Sequence, residues 1–196
     1  MSTTFFNLNL TATTNTLYDY LTHTCLSHGS YLNPVKVGPF IHGWTDDSYE
    51  VEKNGRPAID QSLPEIDDTY DAIRWSARKT DWKDINPNIG TPTIQYIEII
   101  NLNPFGENGL TYDHPMTKTD WKEYFKPYGN DGFYVAPNGR LYVTPDEDDP
   151  TSVSVKIKGN NPGIFAGFNI VFLLPVNKVN YCCIIDPVLK VTKKED

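Results

Sequence analysis

The sequence predicts an all-β fold: a single antiparallel β-sandwich domain over residues 1–196, jelly-roll or Ig-like, with one or two short helices. Three observations predict it. Ile164, Ala166, Phe168, Ile170, Phe172 and Leu174 alternate onto one strand face, and all six are apolar. The intervening Phe165, Gly167, Asn169, Val171 and Leu173 are mostly apolar as well, as in a central strand covered on both sides. Fifteen Pro and thirteen Gly are scattered along the whole chain, which places turns at a spacing of roughly 8–12 residues.

Taken in order, Phe5, Asn7 and Asn9 alternate with Phe6, Leu8 and Leu10 and predict a first strand. Leu17, Tyr20, Leu21 and Thr24 lie at helical spacing within Asn15–Ser27, with Asn15 or Thr16 as cap. Pro34, Gly38 and Pro39 make 30–41 a loop or an edge strand. Asn54-Gly55 closes a short strand at 48–53. Tyr70 to Arg78 reads as a strand after the Asp67-Asp68 cluster. Thr93–Leu102 is the second-best strand, with Ile94, Tyr96 and Glu98 opposing Gln95, Ile97 and Ile99. Thr119–Phe125 offers one or two helical turns, capped by Thr119 or Asp120. Residues 132–143 form a hairpin about Pro137-Asn138-Gly139, and Ser152–Lys158 alternates with Val153, Val155 and Ile157 inward. The pivotal strand at 164–174 turns through Pro175-Val176-Asn177-Lys178 into Val179–Ile185.

A net charge of −8 disfavours nucleic-acid backbones and anionic membranes as general partners. Cys25, Cys182 and Cys183 are an odd set, and neighbours in a strand point to opposite faces. They read as free buried thiols in a reducing compartment. No Sec-type leader is visible at the N-terminus, and no apolar run approaches the roughly 20 residues of a spanning helix. The Asn9-Leu10-Thr11 sequon, without a secretion signal, reads as chance.

Two stretches carry a family pattern. Tyr70-Asp71-Ala72-Ile73-Arg74-Trp75 is similar to a Gly-Asp-x-Ile-Arg-Trp motif, and Tyr181 to Val191, aligned on Asp186-Pro187, is similar to Gly-Tyr-Phe-x-Trp-Asp-Pro-x-Ile-x-Ile. Ile185 stands where that pattern has Trp, and Cys182-Cys183 where it has Tyr-Phe. In these motifs, and over its last two thirds, the chain resembles the PixA/AidA-type bacterial inclusion body protein family. The resemblance implies a β-sandwich that accumulates in bacterial cells, cytoplasmic and sometimes crystalline, and brings no catalytic residue with it. Residue chemistry gives each motif a structural reading too. Asp186-Pro187 ends a strand, and Arg74 is placed to pair with an acidic neighbour while Ile73 and Trp75 point the other way.

Three chemistries merit weighing. Asp146-Glu147-Asp148-Asp149 supplies the oxygen ligands calcium prefers, with Asp146, Asp148 and Asp149 as the metal candidates, though such runs also serve as solvated loops and EF-hand spacing is absent. No cofactor is otherwise implied. Nor does His23, His28, His42 or His114 sit at zinc spacing. A hydrolase would require a nucleophile elbow, which is missing, or a pairing of Cys25 with a histidine, against which stands the reading of Cys25 as a buried thiol. Sugar binding is suggested by Trp44 with Asp46 and Asp47, an aromatic platform beside hydrogen-bond acceptors. Trp82-Lys83-Asp84 and Trp121-Lys122-Glu123 repeat the pattern. The competing reading makes each Trp a loop anchor. The expected function is therefore a non-enzymatic inclusion-body-type protein that binds a glycan or itself as a homodimer, in host interaction or self-assembly, with non-classical release and no membrane insertion or nucleic acid. A small metal-dependent hydrolase and a phage or virion structural subunit are the rivals.

Overall fold

The computed structural model describes residues 3–45, 52–53, 56–57, 65–66, 69–78, 82, 85–106, 109–112, 114–159, 163–185 and 188–191. Strand β1 (Phe5–Ala12) leads into helix α1 (Thr14–Asp19), which continues as a π turn over Tyr20–Thr24. Short strands follow: β2 (Val35–Lys36), β3 (Ile41–Thr45), β4 (Glu52–Lys53), β5 (Arg56–Pro57) and β6 (Glu65–Ile66). Next come β7 (Ala72–Ser76), β8 (Thr93–Gly106), β9 (Gly109–Tyr112) and helix α2 (Lys118–Trp121). The chain ends in β10 (Phe125–Pro127), β11 (Gly132–Val135), β12 (Leu141–Thr144), β13 (Ser152–Ile157), β14 (Ile164–Val176), β15 (Val179–Ile185) and β16 (Val188–Val191).

The fold is mostly β, with two mixed sheets and few short helices. A five-stranded sheet runs β10-β13-β7-β1-β3. A nine-stranded sheet runs β11-β12-β8-β14-β15-β2, with β16 and β6 continuing beside β14 and β9 beside β8. The expectation of purely antiparallel pairing is corrected: β1–β7, β15–β2 and β16–β6 are parallel. Each joins strands far apart in sequence, where the intervening chain is long enough for a crossover. Both sheets give their inner faces to one hydrophobic cluster. Phe6, Leu8, Leu10, Trp75, Val153 and Val155 come from the smaller sheet, and Ile97, Ile99, Leu141, Phe168, Ile170 and Phe172 from the larger. Trp75 meets Phe168 across the gap, ring centroids 5.2 Å apart.

β14 is the central strand that its alternation predicts, flanked by β8 on one side and by β15 and β16 on the other. It runs two residues further than expected, to Val176. Pro175 lies opposite Asn180, one pair in from the turn, where the partner strand requires no N–H from it. The turn is then only Asn177-Lys178, with φ of 50° and 68°, the left-handed pair that a type I′ hairpin demands. In β8 strict alternation also fails. Tyr96 pairs Val171 and Ile94 pairs Phe172, so Gln95 is an extra, bulged residue, and Ile94 and Ile97 both face the core.

The helices start earlier than expected. Thr13 holds the N-cap position of α1 without a side-chain capping bond, and a Thr117–Asp120 capping box opens α2, where the Thr117 hydroxyl one residue outside the first turn accepts from the Asp120 N–H. The turn at Asn54-Gly55 lies outside the described residues, between the paired β4 and β5. Among the described residues no helix is long and apolar enough to cross a membrane.

Lys178 is the more awkward of the two turn residues, because an L side chain in the left-handed region costs roughly 1 kcal/mol and, unlike Asn, Lys has no short polar group to compensate. Lys178→Gly is expected to stabilise the protein by about 0.5–1 kcal/mol, a rise of about 1–4 °C in melting temperature, measured by thermal unfolding followed by circular dichroism.

Candidate functional site

The alternation that sends Leu8 and Trp75 inward sends a polar set outward. On β1, Phe5, Asn7 and Asn9 lie between the buried Phe6, Leu8 and Leu10; on β7, Arg74 lies between Ile73 and Trp75. Strand register then aligns these positions into cross-strand rows, within which Ala72, Ser76 and Ser154 are buried. One row joins Trp44, Asn9, Ser76 and Ser152 on β3, β1, β7 and β13. The next joins Asn7, Arg74 and Ser154. A third brings Phe5, Ala72, Lys156 and Lys126 together, reaching β10. Three strand spacings separate β3 from β13, so the first row spans roughly 14 Å.

Trp44, the residue expected to stack on a ligand, thus has a backbone position level with an amide and two hydroxyl side chains. Its own side chain, and both Asp46 and Asp47, lie outside the described residues. The other end of the same row meets the acidic loop, where Asp149 Oδ2 accepts from Ser152 Oγ at 2.6 Å. Asp149 Oδ1 accepts from the Thr151 hydroxyl at 2.7 Å and from its N–H. The Ser152 hydroxyl, ahead of the opposing effect of burial, holds the Asp149 carboxyl below its ordinary range. Asp146 Oδ1 accepts from the Asp148 N–H at 3.1 Å. Asp146 and Asp149 are therefore turn-forming acceptors, with Asp148 between them. Among the described residues no group of three or more His, Cys, Asp or Glu is arranged to hold a metal ion.

Two of the sugar-platform candidates are corrected. Trp82 and Trp121 are buried, and their indole N–H groups donate to Leu10 O and Gly139 O, each at 2.8 Å. They fix loops onto the core. Arg74 also differs from expectation: its guanidinium carbon sits 3.6 Å above the Phe5 ring, and its Nε donates to Ser154 Oγ. A flat, weakly hydrated cation stacks on an aromatic face as readily as it pairs with a carboxylate.

The sequence reading missed a polar knot on the outer face of the larger sheet. Glu98 of β8 is 6% exposed. It accepts from Arg140 Nη1 at 2.8 Å, from the Tyr142 hydroxyl and from Asn169 Nδ2. Asn169, Glu98 and Tyr142 are register partners on β14, β8 and β12, so the knot ties three strands side by side. Burial works to raise the Glu98 carboxyl, but the three donors prevail and hold it below the ordinary value. Burial, then the bond to Glu98, pushes the Tyr142 phenol up to about 12. Tyr96 and Tyr134 flank Tyr142 with ring centroids 5.5 and 6.5 Å away. The available signal was Glu98 as the one charged residue of β8.

Cys25, Cys182 and Cys183 are free thiols, and Cys182 and Cys183 face opposite sides of β15 as alternation requires. Burial, with Cys182 and Cys25 adding to it, pushes the Cys183 thiol far above its usual range, so it is a core residue rather than a nucleophile. His23 Nδ1 lies 3.2 Å from Asp19 O, and His28 packs edge-on against Tyr181. The histidines nearest Cys25 in sequence are thus engaged elsewhere. Asp186-Pro187 lies outside the described residues.

No family model matches the chain, and no curated protein matches it. Among solved structures it is similar to the inclusion body protein PixA from Burkholderia cenocepacia J2315, with a TM-score of 0.46 and 8% sequence identity over 99% of this chain and 98% of that one.

The Glu98 carboxyl lies below its unfolded value near 4.3, so its contribution is present above that pH and is lost as pH falls through the folded value. Glu98→Gln is expected to lower stability at pH 7 by about 1–3 kcal/mol and to lose less than the wild type on going to about pH 3, measured by urea unfolding at the two pH values.

Proposed function

We propose that this chain is a non-enzymatic β protein of the inclusion-body type that binds carbohydrate at the β1–β3 edge of its five-stranded sheet. The observation that carries this reading is the row Trp44–Asn9–Ser76–Ser152. At its β3 end it sets Trp44 level with the half-buried Asn9 amide, while Ser76 is buried and the Ser152 hydroxyl donates to Asp149. Sugars are recognised by that combination: an aromatic face for the C–H side and neutral polar groups for the hydroxyls. Asp46 and Asp47 follow Trp44 in the sequence and would supply carboxylate acceptors. Because the side chains stand on strands rather than on loops, little ordering is needed on binding.

The inclusion-body part rests on the motifs at 70–75 and 181–191, with the two sheets acting as a single sandwich domain. The non-enzymatic part is favoured by the ionisable groups themselves. Glu98 is saturated by three donors, and Cys183 is sealed in the core. β3 and β10 end the five-stranded sheet, and edge pairing with a second copy gives the homodimer and a route to self-assembly. Accumulation in a bacterial cytoplasm followed by non-classical release would bring the glycan-binding face to a host surface.

A glycan array with the full chain, run with calcium and with chelator, tests the proposal. Binding is expected to one class of sugar and to fall at least about tenfold, ~1.4 kcal/mol, in Trp44→Ala. The chelator is expected to change little, because Asp149 already spends both oxygens on Thr151 and Ser152. Silence across the array, with concentration-dependent crystalline assembly, would leave a purely structural role.

A further inference from the structure

Large apolar side chains are few on the surface, and half of them sit on one loop. Among the described residues the exposed ones are Leu26, Tyr31, Leu32, Ile85, Tyr134 and Val179. Leu26 is 104% exposed and Leu32 91%, so folding covers almost nothing of either. With Tyr31, also exposed, they lie between the π turn at Tyr20–Thr24 and β2. Single apolar residues are ordinary on a surface, but three within seven residues are a cluster.

The loop is also tied down. Ser30 and Asn33 exchange both backbone hydrogen bonds, each at 3.1 Å, and leave Tyr31-Leu32 as a two-residue tip. The Ser30 hydroxyl accepts from the Asn33 N–H as well, at 3.2 Å. The Tyr31 hydroxyl donates to Gln95 Oε1 of β8 at 3.0 Å. His28 O accepts from the Cys182 N–H of β15 at 2.8 Å. Gly29, at φ 72°, passes so close to β15 that a Cβ there would lie 2.6 Å from Cys182 O. The loop thus continues the edge of the larger sheet at which β2 pairs with β15. Apolar residues fixed at a sheet edge offer a partner a preformed surface, with little left to order on binding.

We infer that Leu26, Tyr31 and Leu32 form a docking surface for a second copy of this chain. Charge selects that occupant. Residues 20–35 contain no Lys, Arg, Asp or Glu, although such residues make up 21% of the chain and its net charge is −8. Two like-charged copies approach at least cost where neither carries charge, and a neutral apolar patch is complementary to itself. A lipid surface fits less well, because a membrane-seated apolar patch is accompanied by Lys or Arg and this loop has neither. The inference rests on the self-association part of the reading above and adds a second contact to it. Edge pairing on the five-stranded sheet alone closes as a dimer. A further two-fold contact on the larger sheet lets those dimers join into an extended assembly.

The test is sedimentation velocity of the full chain over a wide range of concentration, for the wild type and for the Leu26→Ser, Leu32→Ser double variant. Both side chains are exposed, so the variant is expected to melt with the wild type, and lost association would not reflect lost folding. The expected result is that species larger than a dimer need at least about tenfold more protein in the variant, while the dimer persists. A wild type that stops at a dimer, with a monomeric variant, would uphold the loop contact and overturn edge pairing. Equal assembly of variant and wild type would overturn the loop contact and leave edge pairing standing. A wild type that is monomeric at every concentration would overturn both. An equal loss of assembly in Ile85→Ser, an exposed apolar residue outside this loop, would also overturn the inference, reducing the contact to general hydrophobic association. Unchanged assembly in the double variant, with lost binding to phosphatidylcholine vesicles, would assign the loop to a lipid surface instead.

Discussion

The contact between Trp75 and Phe168 is the constraint from which the rest of the molecule follows. Both rings are essentially inaccessible to water, and they bridge the inner faces of the two sheets. Burying an indole removes roughly 200 Å² from water, worth about 5 kcal/mol. The Trp75 N–H finds no hydrogen-bond partner among the described residues, which costs about 1–3 kcal/mol. The apolar gain is the larger, so Trp75 remains in the core despite its orphaned donor. Once Trp75 must point inward, its neighbours Arg74 and Ser76 have to point outward. The outward-pointing rows are therefore a direct consequence of the core.

The larger sheet solves a different problem. Its outer face carries a buried carboxylate, which would be expensive alone and is tolerable only because Arg140, Tyr142 and Asn169 all reach it. A one-residue slip of β12 or β14 against β8 would separate Glu98 from Tyr142 or Asn169 and turn the apolar face of the slipped strand toward water. The knot and the alternating core thus select the same register. Hydrophobic burial supplies most of the energy, and the carboxylate makes alternative pairings costly.

Much of this was legible in the residues, and the exceptions have identifiable causes. The β14–β15 hairpin, the hairpin about Asn138-Gly139 and the inward Val153 and Val155 all follow from period-two alternation, a local property. Parallel pairing of β1 with β7 is not local: it depends on a crossover of some sixty residues, and alternation looks the same whichever way a neighbour runs. The bulge at Gln95 shifts which residues face inward without any Gly or Pro to announce it. Trp82 and Trp121 have charged neighbours in sequence as Trp44 does, and that pattern does not reveal that both are buried loop anchors. The outward Asn7 and Asn9 were visible in the alternation of β1, but joining Asn9 to Ser76 and Ser152, and Asn7 to Arg74 and Ser154, required knowing that β7 and β13 lie beside β1.

A total of −8 speaks against nucleic acid and anionic membranes as general partners, both of which present dense charge over an area as large as the protein. That total does not describe every part of the surface. Arg74 and Lys156 stack on the Phe5 and Tyr128 rings, and Lys126 lies opposite Lys156. At physiological ionic strength the screening length is about 8 Å, so carboxylates on the far side of the molecule are weakly felt at these three cations.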